Sequence, residues 1–258
     1  MTSFVDGLHV RTTPGAKVEQ DPPGWARLTI PPGPAGSYRW AQLDDYLHRP
    51  RREFIWTAPF ELRLRARVSA TNLPGTWGFG LWNDPFNASI GIGGTARRLP
   101  ALPNTAWFFY ASPPNHLAFR DTHPAQGLLA ATFRSPLWPA WLMAPGALAL
   151  PLAVWPPTAR LLRRAAGRLI QEDAALVDGD PTLWHSYGLC WESDRVRFAV
   201  DGMEVFETPI SPQGRLGLVI WIDNQYAAFP PDGRLRFGTL ACVEEAWLEC
   251  QFDDHIQD

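Results

Sequence analysis

Apolar and polar residues alternate with a period of two along much of the chain, and this period predicts β-strands. The clearest case is 60–68 (FELRLRARV), where apolar side chains alternate with Glu61 and three arginines. One face of such a strand lies on a core and the other lies in water. Similar patterns predict strands at 25–30, 77–83, 105–111, 125–133, 216–222, 235–237 and 246–252. The segment 38–47 is ambiguous between a strand and a short helix.

The run 184–206 (WHSYGLCWESDRVRFAVDGMEVF) predicts three strands joined by two turns. Apolar residues occupy alternate positions in 187–191 and again in 196–200, and Glu192-Ser193-Asp194 between them is typical of a turn. Asp201-Gly202 suits a two-residue hairpin, because both central residues of a type I′ turn need positive φ. The predicted fold is organised around this run.

One segment departs from the β pattern. Residues 157–177 carry apolar side chains at roughly helical spacing and predict a single inserted helix. Pro157 suits its first turn, and Asp178-Gly179 suits its end. Residues 1–24 predict a poorly structured or edge-lying arm. No linker separates the strands on the two sides of the helix, so we predict one all-β domain over 25–258.

Composition narrows the classes of function. The 26 prolines and 13 tryptophans favour many short strands joined by stiff loops. A net charge of −3 gives no electrostatic case for nucleic acid. The three cysteines lack metal-ligand spacing and fit reduced thiols, and the histidines fit no standard zinc site, so neither a metal nor a cofactor is expected. Without the pattern of a signal peptide or a transmembrane helix, the expected location is the cytoplasm. The oligomeric state stays open.

The run 184–206 resembles the late strands of laminarinase- and lichenase-type β-glucanases, glycoside hydrolase family 16. Their pattern is roughly H-x-Y-x-L-x-W, a short turn, and R-I-x-F-x-V-D-G. It is matched by His185, Tyr187, Leu189, Trp191, Arg195, Val196, Phe198, Val200, Asp201 and Gly202. GLW at 80–82 is similar to an earlier W-P-A-x-W strand of that family. The resemblance covers the second half of the chain well and the first half loosely. It implies a concanavalin A-like jelly roll, with two antiparallel sheets and a ligand groove on the concave sheet.

The catalytic signature of that family does not occur in the chain. Those enzymes use E-x-D-x-x-E, with one glutamate as the nucleophile and the other as the acid/base of retaining hydrolysis. By order along the chain, the equivalent strand is 105–114 (TAWFFYASPP), which contains no Asp or Glu. The sequence therefore predicts the sandwich without family-16 hydrolysis, and it leans away from an enzyme.

Two strand ends share a W-x-D pattern and supply candidate site residues. Trp82 and Asp84 point the same way on one strand, and Trp221 and Asp223 do so on another. If both strands lie in the concave sheet, two tryptophans and two carboxylates line one groove, and the carboxylates could act as acid and base. The alternative is that both aspartates open turns for local reasons. The other candidate ligand-binding residues are Asn83, Trp107, Tyr110, His116, Asn224 and Tyr226.

Residues 135–159 contain no charged side chain and are followed by arginines at 160, 163, 164 and 168. Repeated prolines exclude a spanning helix. Three interpretations stay open: an insertion packed over the sandwich, which we favour, an apolar wall of the groove, or a membrane-surface contact through 135–168.

Three functional hypotheses follow. The first is binding of a small ligand in an aromatic concave groove: the resemblance implies a saccharide, and the charge-poor middle also suits an apolar molecule. The second is an enzyme with a relocated carboxylate pair, Asp84 and Asp223. The third is a membrane-surface or structural module.

Overall fold

The structure is a computed structural model that describes residues 7–85, 98–99, 101–139, 142 and 155–252. These residues form two seven-stranded antiparallel sheets packed face to face, one two-stranded hairpin and one α-helix. The all-β jelly-roll sandwich with an inserted helix is therefore confirmed. Among the described residues, no helix has the length and the apolar character needed to cross a membrane.

The strands are numbered in chain order. From edge to edge, sheet A contains β1 (His9–Thr12), β4 (Trp40–Asp44), β13 (Gly217–Asp223), β6 (Thr76–Trp82), β7 (Thr105–Ala111), β8 (Gly127–Arg134) and β9 (Gln171–Leu176). Sheet B contains β12 (Met203–Thr208), β11 (Val196–Val200), β10 (His185–Trp191), β5 (Phe60–Val68), β16 (Ala246–Phe252), β3 (Trp25–Ile30) and β2 (Lys17–Glu19). The separate hairpin pairs β14 (Gln225–Ala228) with β15 (Arg236–Thr239), and the helix α1 spans Pro156–Leu169. A short 3-10 turn covers Arg51–Glu53.

The core lies between the two sheets. Along β5 the apolar residues are buried while Glu61, Arg63 and Arg65 are exposed, as the alternation predicted. The ring of Phe108 in sheet A lies 4.9 Å from that of Tyr187 in sheet B, measured between centroids. Side chains of the two inner faces therefore interdigitate, which is how aligned β-sandwiches fill their core.

The run 184–206 forms three neighbouring strands of sheet B, β10, β11 and β12. Asp201 and Gly202 both have positive φ, 51° and 79°, so the predicted hairpin turn is confirmed. The Asp201 carboxylate also accepts the Ser186 N–H at 2.8 Å and pairs with His185 Nδ1 at 2.6 Å. These contacts tie the turn to the start of β10.

The predicted helix 157–177 is correct only up to Leu169. Residues 171–176 form β9 instead, which pairs antiparallel with β8 from Leu129↔Leu176 to Arg134↔Gln171. Backbone groups on the edge of β8 need partners, and this pairing outweighs the helical spacing of the side chains. Within the arm 1–24, β1 and β2 lie at the edges of sheets A and B. Most of 135–159 falls outside the described residues, so its three interpretations stay predictions.

Candidate functional site

The face of sheet A that points away from sheet B carries a cluster of aromatic side chains. Alternation along the strands places Trp221 of β13, Trp82 of β6, and Trp107 and Phe109 of β7 on this outer face. The ring centroid of Trp107 lies 5.3 Å from that of Phe109 and 5.3 Å from that of Trp221. Three neighbouring rings from two different strands therefore form one continuous apolar surface.

Two glycines of β6 make room for these rings. A Cβ atom added at Gly78 would lie 2.8 Å from Trp221 Cη2, and one added at Gly80 would lie 2.6 Å from the Cβ of Trp107. Both distances are shorter than real contacts allow. Glycine at alternate positions of β6 therefore lets side chains from β13 and β7 close over the middle strand.

A cavity of about 100 Å³ opens among these residues, and we call it the aromatic pocket. Its aromatic lining consists of Tyr38, Trp40, Trp82, Trp107, Phe109 and Trp221. Its polar lining consists of Gln42, Thr76, Asn115, Asp223 and Gln225. Apolar walls with a few polar groups are the usual composition of a small-molecule site.

The indole N–H groups differ in what they contact. Trp82 Nε1 donates to the Tyr46 hydroxyl at 2.7 Å, and Trp221 Nε1 donates to Thr76 Oγ1 at 3.0 Å. Trp107 Nε1 is buried and has no acceptor among the described residues. Among Trp82, Trp107 and Trp221, Trp107 is thus the tryptophan whose indole N–H is buried without a partner in the described part of the chain.

Asp223 is the carboxylate of the aromatic pocket. Its Oδ1 accepts the Thr76 N–H at 3.2 Å, the Thr76 hydroxyl at 2.9 Å and the Gln225 N–H at 3.0 Å. Its Oδ2 has no hydrogen bond to the described residues, and none of their ion pairs includes Asp223. Burial raises the pKa of Asp223 to about 7, because a charged carboxylate loses its hydration there.

Asp84 does not lie near Asp223. In the antiparallel register, Trp82 is opposite Gly217 while Thr76 is opposite Asp223, so the two aspartates lie at opposite ends of their strands. Eight residues of strand span roughly 26 Å, whereas the two carboxyl groups of a glycosidase lie about 5–10 Å apart. The predicted relocated pair is therefore wrong.

The contacts of Asp84 stabilise the turn that follows β6. Asp84 adopts φ 45° just after β6, and its carboxylate pairs with the buried Arg98 guanidinium at 2.6 Å. Burial raises the pKa of Asp84, while Arg98 acts in the opposite direction. Arg51 donates to the carbonyl oxygen of the same residue. Asp84 therefore holds a turn, which is the alternative that the Asn-Asp-Pro sequence also predicted.

The other carboxylates on the outer face are occupied. Asp44 accepts from Gln42 Nε2 at 2.8 Å and pairs with Arg11 at 2.9 Å. Glu172 accepts the backbone N–H groups of Phe119 and Arg120. The sequences of 86–97 and 140–154 contain no Asp or Glu. Among the described carboxylates of this face, Asp223 is thus the one with an oxygen available to a ligand.

The remaining candidates lie in different places. Tyr110 faces the inter-sheet core, where it stacks on Trp77 with centroids 5.6 Å apart, so its predicted place in the groove is wrong. The side chain of Asn83 bridges Leu102 and Asn104.

Three candidates lie beside the aromatic pocket rather than in its lining. The Asn224 amide donates to the carbonyls of Ser37 and Leu240 and so braces neighbouring loops. His116 forms a bridge with Ala228. Burial lowers the pKa of His116, and the Arg163 charge acts in the same direction. Tyr226 belongs to β14 and lies half-buried against Gly238.

Several pocket residues were missed by sequence reasoning, although the signal for some was present. Tyr38, Trp40 and Gln42 occupy alternate positions of the ambiguous segment 38–47. Read as a strand, that segment puts all three on one face. Phe109 has the same phase as Trp107 and could have been found in the same way.

Comparisons with known proteins give a match in fold alone. No protein-family model matches the chain, and no curated protein matches it in sequence. Among solved structures, LamAcat from Zobellia galactanivorans matches with a TM-score of 0.43 and 11% identity over 92% of this chain and 77% of that one. The β-glucanase of Bacillus licheniformis matches with a TM-score of 0.43 and 9% identity over 96% of this chain and 92% of that one.

A glycoside hydrolase family 16 endo-glucanase from Bacteroides ovatus gives a TM-score of 0.45 and 7% identity over 94% of this chain and 92% of that one. The neighbours thus include β-glucanases of the type that 184–206 resembles.

Proposed function

We propose that this protein binds a saccharide in the aromatic pocket and does not hydrolyse it by the two-carboxylate mechanism of family 16. The observation that carries the proposal is the cluster of Trp107, Phe109 and Trp221 beside the available carboxyl oxygen of Asp223. A sugar ring offers an apolar face that packs on an aromatic ring and hydroxyls that need polar partners.

The polar lining favours a saccharide over a purely apolar ligand. An apolar molecule would cover the Asp223 carboxyl without giving its Oδ2 a hydrogen bond. Covering an unpaired polar group costs about 1–3 kcal/mol. A hydroxyl-bearing ligand avoids this cost, because hydroxyls both donate and accept.

Strand β7 argues against hydrolysis. Its outward positions are Thr105, Trp107, Phe109 and Ala111, so the strand that corresponds in chain order to the family's catalytic strand presents no carboxylate. Asp223 alone supplies one carboxyl group, and retaining and inverting hydrolysis both require two.

A glycan panel tests the proposal. We expect intrinsic tryptophan fluorescence to shift with at least one member of a panel of β-1,3-glucan, β-1,3-1,4-glucan, galactan and chitosan oligosaccharides, without release of new reducing ends. Trp107→Leu should weaken that binding at least tenfold, since buried aromatic anchors dominate affinity. Trp247→Leu on the outer face of sheet B is the matched control and should bind as the native chain does. Equal affinity of Trp107→Leu and the native chain would overturn the proposal, as would glycan cleavage that heat-denatured protein does not cause.

A further inference from the structure

The aromatic pocket contains a buried carboxylate without a paired cation. The nearby cations in the described ranges contact other groups, although Arg11 Nη2 is buried without a hydrogen-bond partner there. The Arg11 guanidinium pairs with Asp44 at 2.9 Å, and Arg39 Nη1 donates to the backbone carbonyls of Pro34 and Ser37 at 2.9 and 3.0 Å. Asp223 Oδ2 is therefore left for a charge that comes from outside the protein.

The walls of this pocket also suit a cation. The faces of tryptophan and tyrosine rings attract positive charge, and several such rings around one site form the aromatic cages that recognise ammonium groups. The Arg11 guanidinium carbon already lies 4.9 Å from the ring centroid of Trp40. Tyr38 stacks on the same indole, with centroids 6.2 Å apart. A cavity of about 100 Å³ is large enough for one compact group.

We propose that the aromatic pocket binds the ammonium group of an organic cation, held beside the Asp223 carboxylate and against the face of Trp221. An amino sugar and a free alkylammonium compound share this chemistry. For the amino sugar the inference rests on the proposed saccharide function and names its substrate class, whereas for the alkylammonium it stands alone.

Binding of an ammonium group requires ionised Asp223, so affinity depends on pH. Two other titratable groups near Asp223 stay neutral between pH 6 and 8. Burial raises the pKa of Tyr38 and of Cys242 above their usual values, so both stay neutral. Arg11 and Asp44 are held together as an ion pair. Because burial places the pKa of Asp223 at about 7, affinity should fall about tenfold between pH 8 and pH 6.

Choline and its uncharged isostere 3,3-dimethylbutan-1-ol are the probes for the test, with calorimetric titration of the full chain at pH 8. We expect choline to bind at least tenfold more tightly than the alcohol. Asp223→Asn should abolish this preference and leave binding of the alcohol unchanged. Asp194→Asn, an exposed turn residue, is the control and should keep the preference. Chitosan and cellobiose oligosaccharides form a second arm that separates an amino sugar from a free ammonium compound.

Equal binding of choline and the alcohol by the native chain would overturn the inference, and so would choline affinity that is the same at pH 6 and pH 8. The pH comparison uses the native chain, so it holds even if Asp223→Asn fails to fold. If neutral oligosaccharides bind in a Trp107-dependent way and choline binds no better than the alcohol, this inference is wrong and the saccharide proposal stands. If choline binds in an Asp223-dependent way and no glycan binds, the ammonium inference stands and the saccharide proposal is wrong.

Discussion

The stability of this protein is expected to fall as the pH rises from 5 to 8. Burial raises the pKa of Asp45 and of Asp223 to about 7 each, even though Asp45 accepts the Trp56 indole N–H at 2.5 Å. In the folded state these carboxyls hold a proton that the unfolded chain has already lost. Their contribution to the free energy of unfolding is therefore complete below about pH 4, and it is lost as the pH rises through about 7.

The effect is large because two groups act in the same direction. One pKa unit corresponds to about 1.4 kcal/mol, so the two shifts together amount to several kcal/mol. The hydrogen bond to Asp201 raises the pKa of His185. A histidine whose pKa is raised by folding also stabilises the folded state less as the pH rises, so His185 adds to the same trend. Urea unfolding at pH 5, 6, 7 and 8 measures this dependence.

Two variants separate the pH dependence caused by Asp45 and Asp223 from that of the other titratable groups. An Asp45→Asn and Asp223→Asn double variant should lose most of the slope, because neither amide titrates, and should keep the smaller part that His185 contributes. Asp194→Asn should keep the slope of the native chain. Native stability that stays constant or increases from pH 5 to pH 8 would show that these carboxyls are ionised in the folded state.

A methyl group at position 80 is expected to disrupt sheet A. Gly80 has φ 152°, and an added Cβ would lie 2.5 Å from the carbonyl oxygen of Ala106 and 2.6 Å from Cα of Trp107. Both obstacles are backbone atoms of the neighbouring strand and cannot rotate away. Gly80→Ala should therefore cost more than about 3 kcal/mol, within the range of severe overpacking and strain.

The variant also tests the link between the fold and the site. Trp107 lies over Gly80, so displacement of β7 should weaken ligand binding together with stability. Gly188→Ala is the matched control, because its added Cβ meets only the Ala199 methyl at 3.7 Å. Equal unfolding midpoints for the two variants, measured in urea, would refute the role given to Gly80.

The sequence carries the fold more clearly than the site. Local alternation in 60–68 and the Asp201-Gly202 turn predict strands that the structure contains, because both signals act within a few residues. The error at 171–176 has a non-local cause, since pairing with the edge of β8 is decided by a segment some 40 residues away.

Site geometry was harder to predict because it depends on register. Trp82 and Trp221 do reach one face, as their phase suggested, yet the antiparallel pairing sends Asp84 and Asp223 to opposite ends. A single sequence does not reveal which residues face each other across two strands. Tyr110 is a different case, because its odd separation from Trp107 on one strand is enough to place it on the opposite face, in the core.

The most direct test of the central claim is an experimental structure of the native chain with the best-binding oligosaccharide of the glycan panel. We predict a sugar ring against Trp221 and Phe109, a ligand hydroxyl within hydrogen-bond distance of the Asp223 carboxyl, and an intact glycosidic bond. A ligand seated elsewhere on the protein, or a cleaved bond at the outer face of sheet A, would contradict it.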